Sequence, residues 1–426
     1  MKRLASHESR ARSNLAISAV LATTTFGMLV ACADSTVLGS EGATPEAGAS
    51  IPPLDGGGAE SEAAAESVDA ATDVDASVPI CSTDGFCHTL VPKGVSLVSV
   101  WGDGTGVVWA LSREGDILRW DGSAWSIHQQ TGLAGNSIWG SGPTDVWVVC
   151  GGSLFHGAGA SSASLVFSRM DELPGDPSVP LTSVWGTGPD DIWAVGSLQD
   201  WEQWPPMFLG RVLHFGGAAP SGDPDAGSDG GTGSGTGWTS NDELASMGLG
   251  FRSVWGSPSS GVWMDGLGGD EWGTVIRLVR RPKGASEWTV LDGVDDYGLG
   301  LNGAAVISDS SVLLSGVTGV PEESYVTTWR GTSTDDGATF TWTSAVQPPW
   351  MREFFAYWGT GANDAWGVGE NGLVSHWDGA KWTQAVVRVT DVPVGRAFRA
   401  IWGKSNDDFW VVGDEIALHK TTAGKP

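Results

Sequence analysis

SVWGTGPDDIWAVG, residues 183–196, sets Trp185 and Trp193 eight residues apart, with Ile192 the only other large apolar residue between them. Such a pair reads either as an aromatic clamp for a ligand or as packing. The rest of the chain decides between the two. The phrase returns as SVWGDGTGVVWAL from Ser99, SIWGSGPTDVWVV from Ser137 and SVWGSPSSGVWMD from Ser253. It returns again as AYWGTGANDAWGVG from Ala356 and AIWGKSNDDFWVVG from Ala400. The pairs are 101/109, 139/147, 185/193, 255/263, 358/366 and 402/410, always eight apart. GAAVISDSSVLLSG, from Gly303, is a seventh, eroded copy with Ala305 and Leu313 in the Trp places. Self-similarity at a roughly constant period marks a repeat architecture.

Each unit predicts four short antiparallel strands. The first reaches the first Trp, a Gly/Pro/Asp turn follows, and the DIWAVG phrase is the second. A third alternates apolar and polar residues up to an aromatic, as in ILRWDG (117–122), VLHFGG (212–217) and LVSHWDG (373–379). The fourth opens near Trp125, Trp238, Trp288, Trp342 or Trp382. Seven such units, repeated radially, predict an all-β, seven-bladed β-propeller of four-stranded antiparallel blades. A sandwiched blade explains why both faces of the second strand are apolar: Ile192 and Ala194 are expected to meet one neighbour, Trp193 and Val195 the other. The last unit lacks a fourth strand. FCHTLVP, residues 86–92, stands spare before the first unit and is expected to supply it, closing the ring without an exposed edge.

The net charge of −27 and sequence pI near 4.4 exclude phosphate recognition by clustered Lys and Arg, hence a nucleic-acid partner. Residues 1–31 read as an export signal: Lys2, Arg3, Arg10 and Arg12 precede LAISAVLATTTFGMLVA, an apolar run of about 17 residues, short for a membrane span. The run ends in LVAC (29–32), which resembles the lipobox of bacterial lipoproteins and implies a lipid on Cys32. Residues 32–80 then form an acidic tether with ten Asp or Glu and no Lys or Arg, too poor in apolar area to order itself. The propeller is expected over 81–426, interrupted by a Gly/Ser/Asp-rich insertion at 216–237. Cys81 and Cys87, in CSTDGFC, are a candidate disulfide in an oxidising compartment, and Cys150 is expected to be a buried small hydrophobe.

The WG…DVWAVG repeats resemble the tryptophan-rich WG-repeat propeller lipoproteins abundant in myxobacteria and, more distantly, Asp-box (BNR-repeat) propellers. STDDGATF, residues 333–340, matches the Asp box S-x-D-x-G-x-T-F. The resemblance implies a structural hairpin there, between third and fourth strands and away from the ligand face. It specifies fold more than activity.

Sorting the 24 tryptophans separates packing from function. Twelve are the pairs, three sit in third strands (Trp120, Trp329, Trp377) and five open fourth strands. These recur with the repeat and are expected to pack blades together. Trp201, Trp204, Trp272 and Trp350 have no repeat equivalents. The first three fall between second and third strands, and Trp350 between a fourth strand and the next first strand. Those two connections emerge on one face. Asp200, Glu202, Asp270, Glu271, Glu322, Glu323 and Glu353 accompany them. Aromatic planes among carboxylates suit a sugar or a polar peptide, so Trp201, Trp204, Trp272, Trp350, Glu202 and Glu271 are the candidate ligand-binding residues.

Catalysis fits less well. Asp-box propellers include sialidases, whose arginine triad, Tyr nucleophile and acid find no match here: no three blades are expected to offer Arg at equivalent positions. Glu202 and Glu271 together present the carboxyl pair a glycoside hydrolase needs, at a separation sequence does not supply. His156, His214, His376 and His419 recur in third strands on different blades and are expected to fan apart, so no metal is expected. Asp223, Asp225 and Asp229 have calcium-like spacing without the closing Glu, leaving calcium the one ion to consider. The reading is a non-catalytic, lipid-anchored binding or scaffold module of the cell envelope (outer membrane), monomeric, for protein or glycan. The alternative is a sialidase-like glycoside hydrolase.

Overall fold

The computed structural model describes residues 81–200, 202, 204–217, 237–294, 297–320, 323–348, 352–389 and 392–422. Cys32, the export signal, the whole tether, Trp201, Trp350, Glu322 and residues 218–236 of the Gly/Ser/Asp-rich insertion lie outside them.

Seven four-stranded antiparallel sheets account for almost every strand. Blade 1 comprises Leu97–Gly102, Val108–Ser112, Asp116–Trp120 and Trp125–Gln130; blade 2 comprises Gly135–Gly142, Asp145–Cys150, Ser153–Ala158 and Val166–Arg169. Blade 3 is Leu181–Gly188, Asp191–Asp200, Met207–Phe215 and Trp238–Ser240; blade 4 is Gly250–Ser257, Gly261–Asp270, Gly273–Arg281 and Thr289–Leu291. Blade 5 is Gly298–Ser308, Ser311–Val320, Glu323–Thr332 and Thr341–Val346; blade 6 is Phe354–Gly361, Asp364–Gly369, Val374–Trp377 and Trp382–Gln384. Blade 7 takes Phe398–Ser405, Asp408–Gly413 and Ile416–Thr421 from the C-terminal end, and its outer strand, Phe86–Thr89, from before blade 1. The first strands adjoin in sequence, and that of blade 7 adjoins that of blade 1. The molecule is a seven-bladed β-propeller closed by its N-terminal strand.

The eight-residue spacing is a hairpin register. Trp101 faces Trp109 across the first two strands, Trp139 faces Trp147, Trp185 faces Trp193, and Trp255 faces Trp263. Trp358 likewise faces Trp366 and Trp402 faces Trp410; in the eroded unit Ala305 faces Leu313. The glycine after the first Trp has its own reason. A Cβ on Gly140, Gly186, Gly256, Gly403 or Gly102 would come within 3 Å of the first Trp of the preceding blade. The ring of first tryptophans lies on a ring of glycines. On the second strand, Ile192 and Ala194 pack with blade 2, while Trp193 and Val195 pack with blade 4.

The second tryptophans are held by a device the sequence reading missed. In blades 2, 3, 6 and 7 the third-strand histidine lies against the indole: His156 on Trp147, His214 on Trp193, His376 on Trp366 and His419 on Trp410, at ring separations of 4.0, 4.1, 4.5 and 4.3 Å. An aspartate two residues before each Trp meets the histidine Nε2 at 2.7–2.8 Å: Asp145, Asp191, Asp364 and Asp408. Trp147 and Trp193 donate their Nε1–H to the same carboxylates, at 3.0 and 2.9 Å. Each histidine therefore serves its own blade. Burial opposes the charge of Asp191, but hydrogen bonds from His214, Thr187 and Trp193 outweigh it and hold the carboxyl below its usual range. Asp145 and Asp364 are lowered in the same way.

A carboxyl lowered by folding stabilises the native state above the ordinary carboxylate pKa, about 4, and loses that contribution as pH falls toward the native value. Thermal melts from pH 7 to 2.5 are therefore expected to show stability dropping below about pH 4. The Asp145→Asn, Asp191→Asn, Asp364→Asn triple variant should be less stable at pH 7 and have a flatter acid limb; equal acid slopes would rule the carboxylates out as the cause.

Candidate functional site

Three adjacent blades differ from the other four. In blades 3, 4 and 5 the second and third strands run to nine or ten residues. In blades 1, 2, 6 and 7 they run to four to six. The excess lies at the end joining second to third strand. In blade 3, Ser197–Asp200 pair with Met207–Gly210 beyond the point where the first strand stops. In blade 4, Gly268–Asp270 pair with Gly273–Val275 in the same manner. About four extra residues at ~3.3 Å each raise these hairpins about 13 Å above their neighbours.

The raised hairpins form a continuous wall. Blades 3 and 4 touch through backbone: a Cβ on Gly269 would collide with the Pro206 carbonyl oxygen, so only glycine allows the approach. Blades 4 and 5 are tied by Tyr297, whose hydroxyl donates to Asp270 Oδ2 at 2.8 Å while its carbonyl accepts from Gly319 N–H at 2.7 Å. Asp200 and Asp270 close their hairpins alike, each accepting from the backbone two residues on, at Glu202 (2.9 Å) and Trp272 (2.8 Å). Burial is the largest influence on Asp270 and pushes its carboxyl up, but the Trp272, Gly273 and Tyr297 hydrogen bonds together leave it lowered.

Trp204 and Trp272 stand at these hairpin tips with 69% and 70% of their surface exposed, among the most exposed large apolar side chains described. Glu202 and Glu271 are exposed beside them. Tyr297, Leu299, Val320 and Tyr325 extend the exposed apolar surface onto blade 5, where Tyr325 donates to Glu323. Sequence reading placed Trp204 and Trp272 in the right connections. The missing signal was strand length, together with Tyr297 and Tyr325. Glu353 sits apart from the tips, half-buried, bonded to Asn302, and pushed up by burial.

One expectation is overturned. Three blades do carry Arg at an equivalent position: Arg119 opposite Trp109, Arg280 opposite Trp263 and Arg330 opposite Leu313, the place the other blades give to His. Loops of unequal length hid the alignment. These arginines turn sideways into the blade interfaces. Arg280 lies 4.7 Å over Trp263 and donates to the Gly337 and Ser260 carbonyls, pinning the turn that precedes the fourth strand of blade 5 to blade 4. Arg330 lies 4.9 Å over Trp377, and Arg119 donates to Ser162 at 3.1 Å. They do not converge on one carboxylate. Within the STDDGATF turn, residues 333–340, Asp335 accepts from Ser333 and Thr339.

The innermost strands hold a second feature that sequence did not reveal. Each carries one bulged residue at the same place: Val98, Asn136, Thr182, Arg252, Asn302, Phe355 and Arg399. Beside Arg252, fully buried Asp265 replaces the Leu111, Val149, Val195, Val368 and Val412 of other blades. Burial pushes its carboxyl up, and Arg252 and a bond from Ser253 pull it back only in part. Cys81 and Cys87 are joined by a disulfide next to the closing strand, and Cys150 is buried and free.

With this geometry in view, solved structures supply the comparison. YCF48 bound to D1 peptide superposes with a TM-score of 0.53 at 15% identity, covering 81% of this chain and 100% of that one. YCF48 from Cyanidioschyzon merolae gives 0.52 at 13% identity, covering 80% and 99%. The likeness is one of fold. Virginiamycin B lyase from Staphylococcus aureus superposes at 0.47 with 10% identity over 78% and 97%, too loosely to bear on chemistry. No family model and no curated protein sequence matches this chain.

Proposed function

We propose that this chain is a non-catalytic binding propeller of the cell envelope whose raised wall on blades 3 to 5 takes an extended, basic polypeptide segment. The observation that carries the reading is the wall itself: three lengthened hairpins side by side, tipped by solvent-facing Trp204 and Trp272 and edged with Asp200, Glu202, Asp270, Glu271 and Glu323. Rigid aromatic anchors on a raised edge are the residues that dominate binding energy in protein interfaces. The surrounding carboxylates and the overall negative charge favour a cationic partner and speed its approach. A propeller of the same architecture, YCF48, is described bound to a peptide, which supports the class of ligand. Anchoring through a lipid on Cys32 follows from LVAC at residues 29–32, and the Cys81–Cys87 disulfide suits an exported location.

The test is a Lys/Arg-containing peptide library and a glycan array, each probed with the full chain and with the Trp204→Ala, Trp272→Ala double variant. Peptide binding is expected to fall at least ~30-fold in the variant, the size of a two-residue hot spot, with a melting temperature within about 2 °C of the parent because both side chains are exposed. Glycan signal without peptide signal would overturn the polypeptide assignment. Turnover of a fluorogenic glycoside would end the non-catalytic reading. Acyl labelling that survives Cys32→Ala would remove the anchor.

A further inference from the structure

Six of the seven blade interfaces are closed by the same aromatic pair. The second-strand Trp of one blade meets an aromatic at or just before the fourth strand of the next: Trp109 with Phe167, Trp147 with Trp238, Trp193 with Trp288 and Trp263 with Phe340. Trp410 meets Trp125 and Trp366 meets Phe86 in the same way, all with ring separations of 5.2–5.8 Å. The interface between blades 5 and 6 is the exception. Leu313 stands where the indole belongs, and among the described residues Trp382 meets rings of its own blade alone: Phe354, Tyr357 and Trp377. A cleft of about 390 Å³ opens there on the outer flank of the ring, lined by Leu313, Arg330, Phe354, Tyr357, Trp377 and Trp382. Its volume and aromatic lining are those of a small-molecule pocket.

The eroded unit lacks a second group as well. Ser311 occupies the position of the aspartate that holds the third-strand His in sibling blades. Arg330, at the His position, is left with a buried Nε–H that has no hydrogen-bond partner among the described residues, as are the equivalent Arg119 and Arg280. An orphaned buried donor beside a void lined with rings calls for an acceptor. What this interface alone is missing is an aromatic ring; the carboxylate is absent from blades 1 and 4 as well, where Val107 and Gly261 stand two residues before the Trp, but among the described residues only here does the arginine border an open cleft.

We propose that the cleft between blades 5 and 6 is a binding site for a small aromatic carboxylate, the ring seated between Leu313 and Trp382 and the carboxylate on Arg330. The site is separate from the raised wall and does not depend on what that wall binds. A ring in this place restores the contact that an indole makes at the other interfaces, and an apolar cavity left by a shortened side chain is known to accept such a ring. The guanidinium over Trp377 offers the donors a planar carboxylate matches.

The experiment titrates the full chain with indole-3-carboxylate, indole and acetate, read by ligand-observed NMR and calorimetry. Saturable binding of indole-3-carboxylate is expected, at least about fivefold tighter than indole, with none for acetate. Leu313→Trp supplies the missing ring from the protein itself and should abolish binding while leaving the melting temperature unchanged or raised. Arg330→Gln should retain indole and lose the preference for the carboxylate. No saturable binding to the parent chain overturns the proposal. So does undiminished binding in folded Leu313→Trp or, should that variant fail to fold, an unchanged carboxylate preference in Arg330→Gln.

Discussion

Trp193→Ala is expected to cost about 3–5 kcal/mol of unfolding free energy, the range for emptying a buried aromatic site. Trp193 is 1% exposed. Its indole lies on His214, meets Trp288 edge-on, donates to Asp191 and lies beneath the Arg281 guanidinium at 4.5 Å. Truncation removes the ring that meets Trp288 of blade 4 and takes one hydrogen bond from Asp191, which keeps His214 and Thr187. Trp272→Ala, chemically the same deletion, should change stability by less than about 0.5 kcal/mol because its ring faces solvent. Urea denaturation followed by far-ultraviolet circular dichroism separates the two. Equal midpoint shifts would show that the repeat tryptophans are not the packing element of the fold.

The second large effect concerns closure. Phe86–Thr89 pairs with Ile416–Thr421 through four consecutive register positions, and Phe86, fully buried, meets Phe409 of its own blade and Trp366 of blade 6. A chain beginning at residue 76 keeps that strand; one beginning at residue 90 loses it, baring the whole edge of Ile416–Thr421 and the Phe86 site together. An open edge beside an apolar void is an aggregation template. The shorter chain is expected to lose its cooperative melt and to associate, measured by calorimetry and light scattering, while the longer one melts as the full chain does. A cooperative, monomeric melt from residue 90 onward would mean that blade 7 stands on three strands.

How far each of these features was legible depends on how far apart in the chain its partners lie. The eight-residue Trp spacing was readable because both residues belong to one hairpin. Their register is set by a turn of a few Gly, Pro and Asp residues, so the repeat, the blade count and the spare strand at residue 86 all followed. The Trp–His–Asp groups were half legible: the histidines recur visibly, but their link to Asp145, Asp191, Asp364 and Asp408 depends on pairing between second and third strands. The Arg119, Arg280 and Arg330 alignment was missed outright, since Arg280 and Arg330 follow lengthened hairpins that shift them along the chain without shifting them across the sheet.

The same division runs through the candidate sites. Trp204 and Trp272 stood out by breaking the repeat, and that much required no structure. That they crown a wall of three raised hairpins is a tertiary fact. It rests on Gly269 reaching Pro206 and Tyr297 reaching Asp270, contacts between blades that the repeat pattern does not encode. The cleft at Leu313 sharpens the point. Sequence alone determined that one copy of the repeat had lost its tryptophans, because hairpin register is a local property of the chain. Only the closed ring decided what that loss meant: each blade's second strand faces the fourth strand of the next, so a side chain shortened in blade 5 becomes an empty place against Trp382.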